Sequence, residues 1–309
     1  MQLRSQGTQH PSRIYSRDPD LHGSSKWATK NHLHQKGYGE GGRIFLGYGM
    51  AEANKGRAYC ITTNTQKHLL TVAPTRSGKL LTASMPRCLE HRGSLVALDV
   101  KDGELSLIAA RYRRDVLGHK VIIIDPWDLA CSKLGMPQSR FNIMDWLDPD
   151  NDDFVEDAMT VADSLVTDRG GKDPFWTDEA RALVMGLILY VAATPLVLMP
   201  TAKRSRDIPQ VRRLLSLSSD DFKKIVGGEY AEDEEGNAIL IKPGMMQSSN
   251  EYVRASAARI LNKASKEFSS ILSTAQQNTH FLESPKIPRT LSESDFTFEA
   301  LENRDPIKM

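Results

Sequence analysis

The stretch His68-Leu69-Leu70-Thr71-Val72-Ala73-Pro74-Thr75-Arg76-Ser77-Gly78-Lys79 decides how the rest of this 309-residue chain is read. Residues 68–73 form an apolar run that predicts a strand buried on both faces, and residues 78–91 have helical spacing. A loop between such a strand and helix turns backbone N–H groups toward the helix's positive end, while a lysine supplies a mobile cation. That arrangement holds nucleotide phosphates, so ATP is the first ligand to consider. Thr75, Arg76, Ser77, Gly78, Lys79 and Leu80 are the candidate binding residues, with Lys79 as the catalytic contact to the β- and γ-phosphates. The competing reading is a structural turn. A full motif opens with Gly and follows Lys with Ser or Thr, whose hydroxyl helps hold Mg²⁺. Ala73 and Leu80 occupy those positions, so Mg²⁺ is expected only as the nucleotide's companion, and no residue is assigned to it.

Two more apolar runs follow, Ser94-Leu95-Val96-Ala97-Leu98-Asp99 and Lys120-Val121-Ile122-Ile123-Ile124-Asp125. A helical pattern at about 103–116 lies between them. Strand–helix–strand order with continuous rather than alternating hydrophobicity predicts parallel pairing through right-handed crossovers. The expected fold class is therefore α/β, the first half of a P-loop parallel sheet. Asp99 and Asp125 both end apolar runs, as a metal-binding carboxylate would, but neither is followed by the Glu that polarises an attacking water. Asp99 is read as a structural carboxylate near the nucleotide.

Beyond Phe141 the pattern becomes helical. Val155, Ala158, Met159, Ala162, Leu165 and Val166 share one helix face, and 178–191 is a longer, more apolar helix. Shorter helices are expected at 207–217 and 220–226, the first helped by Pro209. A long helix at 247–281 is expected to break near Ser269-Ser270-Ile271-Leu272-Ser273. Residues 229–237 form an acidic, solvated loop, and Ala238-Ile239-Leu240-Ile241 a short hairpin strand. The domain expectation is a polar arm over 1–42, the first part of a nucleotide-binding domain over 43–145, an inserted all-α domain over 146–288, and a return to the first domain over 289–309. Asp295-Phe296-Thr297-Phe298 reads as a lead-in to a further strand.

Composition narrows the class without choosing a partner. Hydrophobic residues make up 40% of the chain, enough for a sizeable core, and a formal charge of +1 leaves nucleic-acid binding to local patches. Cys60, Cys88 and Cys131 lack metal-ligand spacing and read as small buried thiols of a reducing, cytosolic compartment. His32 and His34 read as a solvated pair. No apolar run approaches the roughly 20 residues needed to cross a bilayer, and no secretion signal opens the chain. Arg76 either neutralises phosphate, reaches a neighbouring subunit, or is a solvated loop residue. Trp176 either stacks on DNA bases or packs at a helix start, and its acidic neighbours favour packing.

With the loop, two strand-end carboxylates and a helical block in place, the chain resembles the type IV secretion coupling proteins of the TraG/VirD class. His22-Gly23-Ser24-Ser25-Lys26-Trp27-Ala28-Thr29 is similar to the segment leading into that family's ATPase domain. The loop at 73–79 looks like the family's own version, in which Ala commonly opens it and Gly commonly follows the Lys. Asp99-Val100-Lys101-Asp102-Gly103-Glu104 resembles its Asp-Pro-Lys-Gly-Glu element, with Val for Pro and one additional residue. Arg111-Tyr112-Arg113-Arg114, Leu117-Gly118-His119, Asp125-Pro126-Trp127 and Arg140-Phe141-Asn142 follow in the family's order. Asp173-Pro174-Phe175-Trp176 looks like its way into the all-α domain, and Ser273-Thr274-Ala275 with Ser294-Asp295-Phe296 its way out.

The resemblance implies a RecA-like, membrane-anchored homo-hexameric ATPase at the cytoplasmic face of the bacterial inner membrane. It implies DNA, a relaxase or relaxosome or secreted effector, and type IV secretion channel components as partners. The family's Asp-Glu water-activating pair lies on a later strand, which leaves turnover by this chain open and its location as given cytoplasmic. The two functions to separate are an ATP-driven transfer motor and a hydrolysis-incompetent docking and nucleotide-binding module.

Overall fold

The computed structural model describes residues 28–39, 41–50, 58–168, 174–199 and 205–302. They are a mixture of helices and two small antiparallel sheets, falling into two units that divide between Leu95 and Val96. The expected arm over 1–42 lies mostly outside the described residues, as do Asp173 and residues 303–309.

In the first unit, Thr29 caps α1 (Lys30–Gln35) by accepting from the His32 N–H at 3.2 Å, and His32 and His34 are exposed on it. Strands β1 (Ile44–Met50) and β2 (Ala58–Thr63) pair antiparallel, with a bulge between Phe45 and Gly47. Their hairpin was not expected, because Gly47 and Gly49 interrupt the alternation that marks a strand. Thr62 closes its open end, accepting from the Gly42 N–H at 2.7 Å and donating to the Gly39 carbonyl. A Cβ at Gly42 would lie 2.7 Å from the Thr63 backbone nitrogen, so that approach requires glycine. Residues Leu80–Ser84 form a π-helical turn that runs into α2 (Met85–Glu90). Arg87 ties α2 to the hairpin by donating to the Phe45 carbonyl at 3.0 Å, above buried Phe45.

The three runs expected as parallel strands, 68–73, 94–99 and 120–125, carry no strand among the described residues. Leu70 is 88%, Val72 83% and Leu98 87% exposed. A parallel strand exists through ladders on its edges and cover on both faces. Without a ladder among the described residues, Leu70, Val72 and Leu98 are exposed, whereas Ile123 of the third run is buried.

The second unit holds two cores. In the smaller, α3 (Glu104–Asp115) and α4 (Cys131–Leu134) pack Ala110, Cys131 and Leu134 with Ile123 and Met136. The Leu117-Gly118-His119 motif is the end of α3. The Leu117 N–H returns to the Tyr112 carbonyl and the His119 N–H to the Arg113 carbonyl, around Gly118 at φ +71°. Buried His119 accepts at Nδ1 from the Arg113 guanidinium at 2.9 Å.

The larger core is the helical block. Helix α5 (Phe154–Leu165) and α6 (Phe175–Ala193) are followed by α7 (Ile208–Leu215) and α8 (Ser219–Gly227). After a hairpin of β3 (Glu229–Glu232) and β4 (Ala238–Lys242) come α9 (Glu251–Leu261), α10 (Ser265–Asn278) and α11 (Lys286–Leu291). Helix α6 is apolar around most of its circumference because it is the central one, with Ala180, Val184, Leu187, Ile188 and Val191 fully buried. Trp176 packs against this core, as the packing reading expects. The break in the last long helix lies at 262–264 rather than among the serines. Ser269 and Ser270 lie within α10, where their hydroxyls donate to the Ser265 and Lys266 carbonyls four residues back. Cys88 and Cys131 are buried and Cys60 is half-buried. Among the described residues, no helix is long and apolar enough to cross a membrane.

Candidate functional site

Residues Thr75, Arg76, Ser77, Gly78, Lys79 and Leu80 form one continuous loop and helix start in the first unit. Ser77 closes the turn by donating its N–H to the Pro74 carbonyl at 3.3 Å. On either side of Ser77, Arg76 and Gly78 have φ of +62° and +82°. Left-handed residues in a tight loop turn consecutive N–H groups to one side, making an anion-binding concavity. For Arg76, which has a Cβ, that conformation is uncommon and is held by the surrounding turn.

The helix begins at once. The Gly78 carbonyl accepts from the Thr82 N–H at 2.9 Å and from its hydroxyl at 3.0 Å. The first N–H groups after Gly78 therefore have no acceptor within the helix. Its first turn is wide: the Met85 N–H reaches the Leu80 carbonyl, five residues back. Pro86 accounts for this, since its ring has no N–H and displaces the carbonyl four residues earlier, that of Thr82.

Lys79 folds back over the loop. Its ammonium donates to the Ala73 carbonyl and, at 2.7 Å, to the Pro74 carbonyl. Those acceptors are neutral, and phosphate oxygens offer the same ammonium stronger charge-assisted bonds. The loop thus fits a phosphate group. It does not fit Mg²⁺ in the usual way, because Leu80 has no oxygen to offer, and Thr82, the first hydroxyl of the helix, donates back to Gly78. Leu80 is half-buried as the first residue of the wide turn.

Asp99 lies in the second unit. Its carboxylate accepts from the Ser106 N–H at 2.8 Å and hydroxyl at 2.9 Å, and from the Lys101 N–H at 3.4 Å. It caps α3, ahead of Asp102 and Gly103 at φ +46° and +76°. Asp125 plays the same part for α4. Burial opposes its charge, yet N–H bonds from Ala130, Cys131 and Leu129 at 2.8–3.0 Å outweigh that and hold its carboxyl below the ordinary range. The carboxylates that end the two apolar runs are thus committed to capping bonds.

Two of the quoted motifs, distant in sequence, meet. The Arg140 N–H donates to Asp295 at 2.8 Å and its guanidinium pairs with Asp295 at 2.9 Å and with Glu293. The Asp295 N–H returns to the Arg140 carbonyl at 3.1 Å, and the Asn142 N–H reaches the Ser294 hydroxyl at 3.0 Å. Phe141 stacks on Phe296 at 5.5 Å and meets Phe298 edge-on at 4.9 Å. The beginning and end of the helical block are thereby clasped. Sequence reasoning placed these motifs without seeing that they pair; their complementary charges and aromatic residues were the available signal.

A family model described as type IV secretory system conjugative DNA transfer matches residues 26–308 of the chain. The chain is 26% identical to the conjugal transfer protein TraG of Escherichia coli over 302 residues, 92% of this chain and 44% of that protein. It is similar to a probable conjugal transfer protein TraG of Sinorhizobium fredii, 24% identical over 76% of this chain and 33% of the relative. It is also similar to protein VirD4 of Agrobacterium fabrum, 31% identical over 57% of this chain and 26% of the relative. The chain spans less than half the length of these curated relatives.

Proposed function

The chain belongs to the type IV secretory system conjugative DNA transfer family, and from that membership we propose that it is the nucleotide-binding and substrate-docking portion of a coupling-protein subunit. In this reading Thr75, Arg76, Ser77, Gly78, Lys79 and Leu80 hold ATP, whose hydrolysis supplies the energy for transfer in the complete motor. The single observation that carries the reading is the loop itself. It has two left-handed residues, a helix start immediately behind them, and an ammonium parked on two displaceable carbonyls.

In binding, Lys79 leaves the Ala73 and Pro74 carbonyls for the outer phosphates, and the N–H groups of Arg76, Ser77 and Gly78 complete the cradle. Asp99 holds α3 in place rather than activating water. A P-loop, RecA-like sheet joining the three apolar runs belongs to the same proposal, as does a homo-hexamer. The helical block, clasped at Arg140–Asn142 and Ser294–Phe296, is the part that takes a relaxase, relaxosome or secreted effector bound for the channel. The domain division near residues 145 and 288 follows the clasp. The second reading, a docking module without hydrolysis, is favoured by the commitment of Asp99 and Asp125 to capping bonds.

Calorimetric titration of the 309-residue chain with ATP tests the assignment. Lys79→Ala removes a charge-assisted bond of about 1.5–3 kcal/mol, which predicts roughly 10- to 150-fold weaker binding. Equal affinity of both proteins would falsify the phosphate cradle.

A further inference from the structure

A cleft in the second unit uses none of the residues assigned above to ATP. It encloses about 430 Å³ between the turn after Asp125 and α11, and is lined by Trp127, Asp128, Ser132, Gln138, Lys286 and Arg289 among others. That volume suits one small molecule. Hydrogen bonds fix its walls. Asp128, at φ +57°, caps α4 by accepting from the Ser132 N–H at 2.8 Å and from its hydroxyl. The Gln138 amide donates to the Thr290 hydroxyl on α11 at 3.0 Å, and the Arg140–Asp295 clasp holds the same two segments together.

Two kinds of group in the lining are not taken up by the fold. Trp127 is 54% exposed, an unusual position for so large an aromatic. Lys286 and Arg289 are exposed one helical turn apart, and among the described residues neither has an acidic partner within ion-pair distance. The one carboxylate in the lining, that of Asp128, is bonded to Ser132. Buried Cys131 adds no charge, its thiol pushed up to about 11 by burial and by the Asp125 charge.

Residues three apart on a helix share a face, so the two cations address one anion. A phosphate monoester carries about −1.5 to −2 charges at pH 7 and matches both of them. A nucleic-acid strand instead spreads single charges along its length, and the lining offers no further cation to follow it. An acidic peptide would engage the cations and leave the indole bare. An uncharged ring would cover the indole and leave the cations without a partner.

We propose that this cleft binds a small phosphorylated ring compound, its flat heteroaromatic body stacked on Trp127 and its terminal phosphate monoester held between Lys286 and Arg289. The site shares no residue with the Lys79 loop. The ATP reading can therefore fail without it, and Lys79→Ala must leave it intact.

The probe is riboflavin 5′-phosphate, whose fluorescence is quenched when its ring stacks on an indole, titrated with the 309-residue chain without ATP. Saturable quenching with a Kd below about 1 mM is expected. Trp127→Ala should weaken binding about tenfold, whereas Trp127→Phe should stay within about threefold yet lose most of the quenching. The pair Lys286→Ala with Arg289→Ala should also weaken binding about tenfold, to the level at which the parent chain binds riboflavin, which lacks the phosphate. All these side chains are exposed, so unchanged thermal melting is expected of every variant. The proposal is overturned by any of five results: no saturable quenching, undiminished binding by Trp127→Ala or by the double variant, equal affinity for riboflavin and its phosphate, loss of binding in Lys79→Ala, or displacement of the probe by oligothymidylate at a lower nucleotide concentration than by adenosine monophosphate.

Discussion

Lys79 and Asp125 show how differently two charged residues read from sequence can be placed. The Gly-Lys step announced the loop, and the lysine sits on it. The left-handed Arg76 was not legible, because an arginine gives no sign of positive φ and only the closed turn imposes it. Asp125 looked like a candidate metal carboxylate and is a buried cap instead, a role that depends on where the three N–H groups at 129–131 come to rest. Replacing it tests that role. Asp125→Asn substitutes an amide, which donates, for a carboxylate that accepts from three donors, and should cost about 2–3 kcal/mol at pH 7. Because the folded pKa is depressed, this stabilisation is complete above the unfolded value near ~3.9 and is lost as pH falls through the folded value. Urea unfolding of both proteins at pH 7 and in strong acid should therefore show a gap that narrows on acidification. A gap independent of pH would mean that the charge of Asp125 contributes nothing.

Among the elements, helices were far more legible than strands. Periodicity located α5, α6, α7 and α8 because each buries one face or, for α6, nearly every face, and that demand is written locally. Strands answer to neighbours that no local pattern specifies, so the three apolar runs were identified as strands while β1 and β2 were missed. Within the helical block, the crossing of α6 and α9 has a sequence cause at Gly186. A Cβ there would sit 2.8 Å from the Ser256 Cβ, closer than side chains tolerate. Gly186→Val should force the helices apart and destabilise by about 1–3 kcal/mol, despite valine's better helix propensity. Thermal melting of Gly186→Ala alone and together with Ser256→Gly gives the sharper reading: the second substitution makes room for the first, so the pair should be less destabilised than the sum of the singles. Strict additivity would show that the two helices do not touch at this point.

On the scale of the whole molecule, the informative contact is between segments about 150 residues apart in the chain. The family resemblance supplied both motifs in order, but their pairing through Arg140, Asn142, Ser294 and Asp295 appears only when the block has folded and brought its ends together. Asn142 is the residue on which this closure turns. It is 2% exposed, and its amide donates to the Asp145 carboxylate at 3.0 Å and to the Arg206 carbonyl at 2.8 Å, while its oxygen accepts from the Met144 N–H at 3.1 Å. Asn142→Ala leaves the part-buried Arg206 carbonyl and the buried Met144 N–H without their partners, each costing about 1–3 kcal/mol. A loss of about 2–4 kcal/mol in global stability is expected, but the location of the damage separates closure from mere packing. If Asn142 holds the ends of the block together, amide exchange should accelerate at Phe141 and Asp295, whose N–H groups bond across the clasp, more than in the centre of α6. Asn142→Asp keeps the acceptor for Met144 but loses both donated bonds and sets a second carboxylate beside Asp145, so it should open the clasp as well. Uniform acceleration through α6 in both variants would instead place Asn142 in the general core and remove it from the closure.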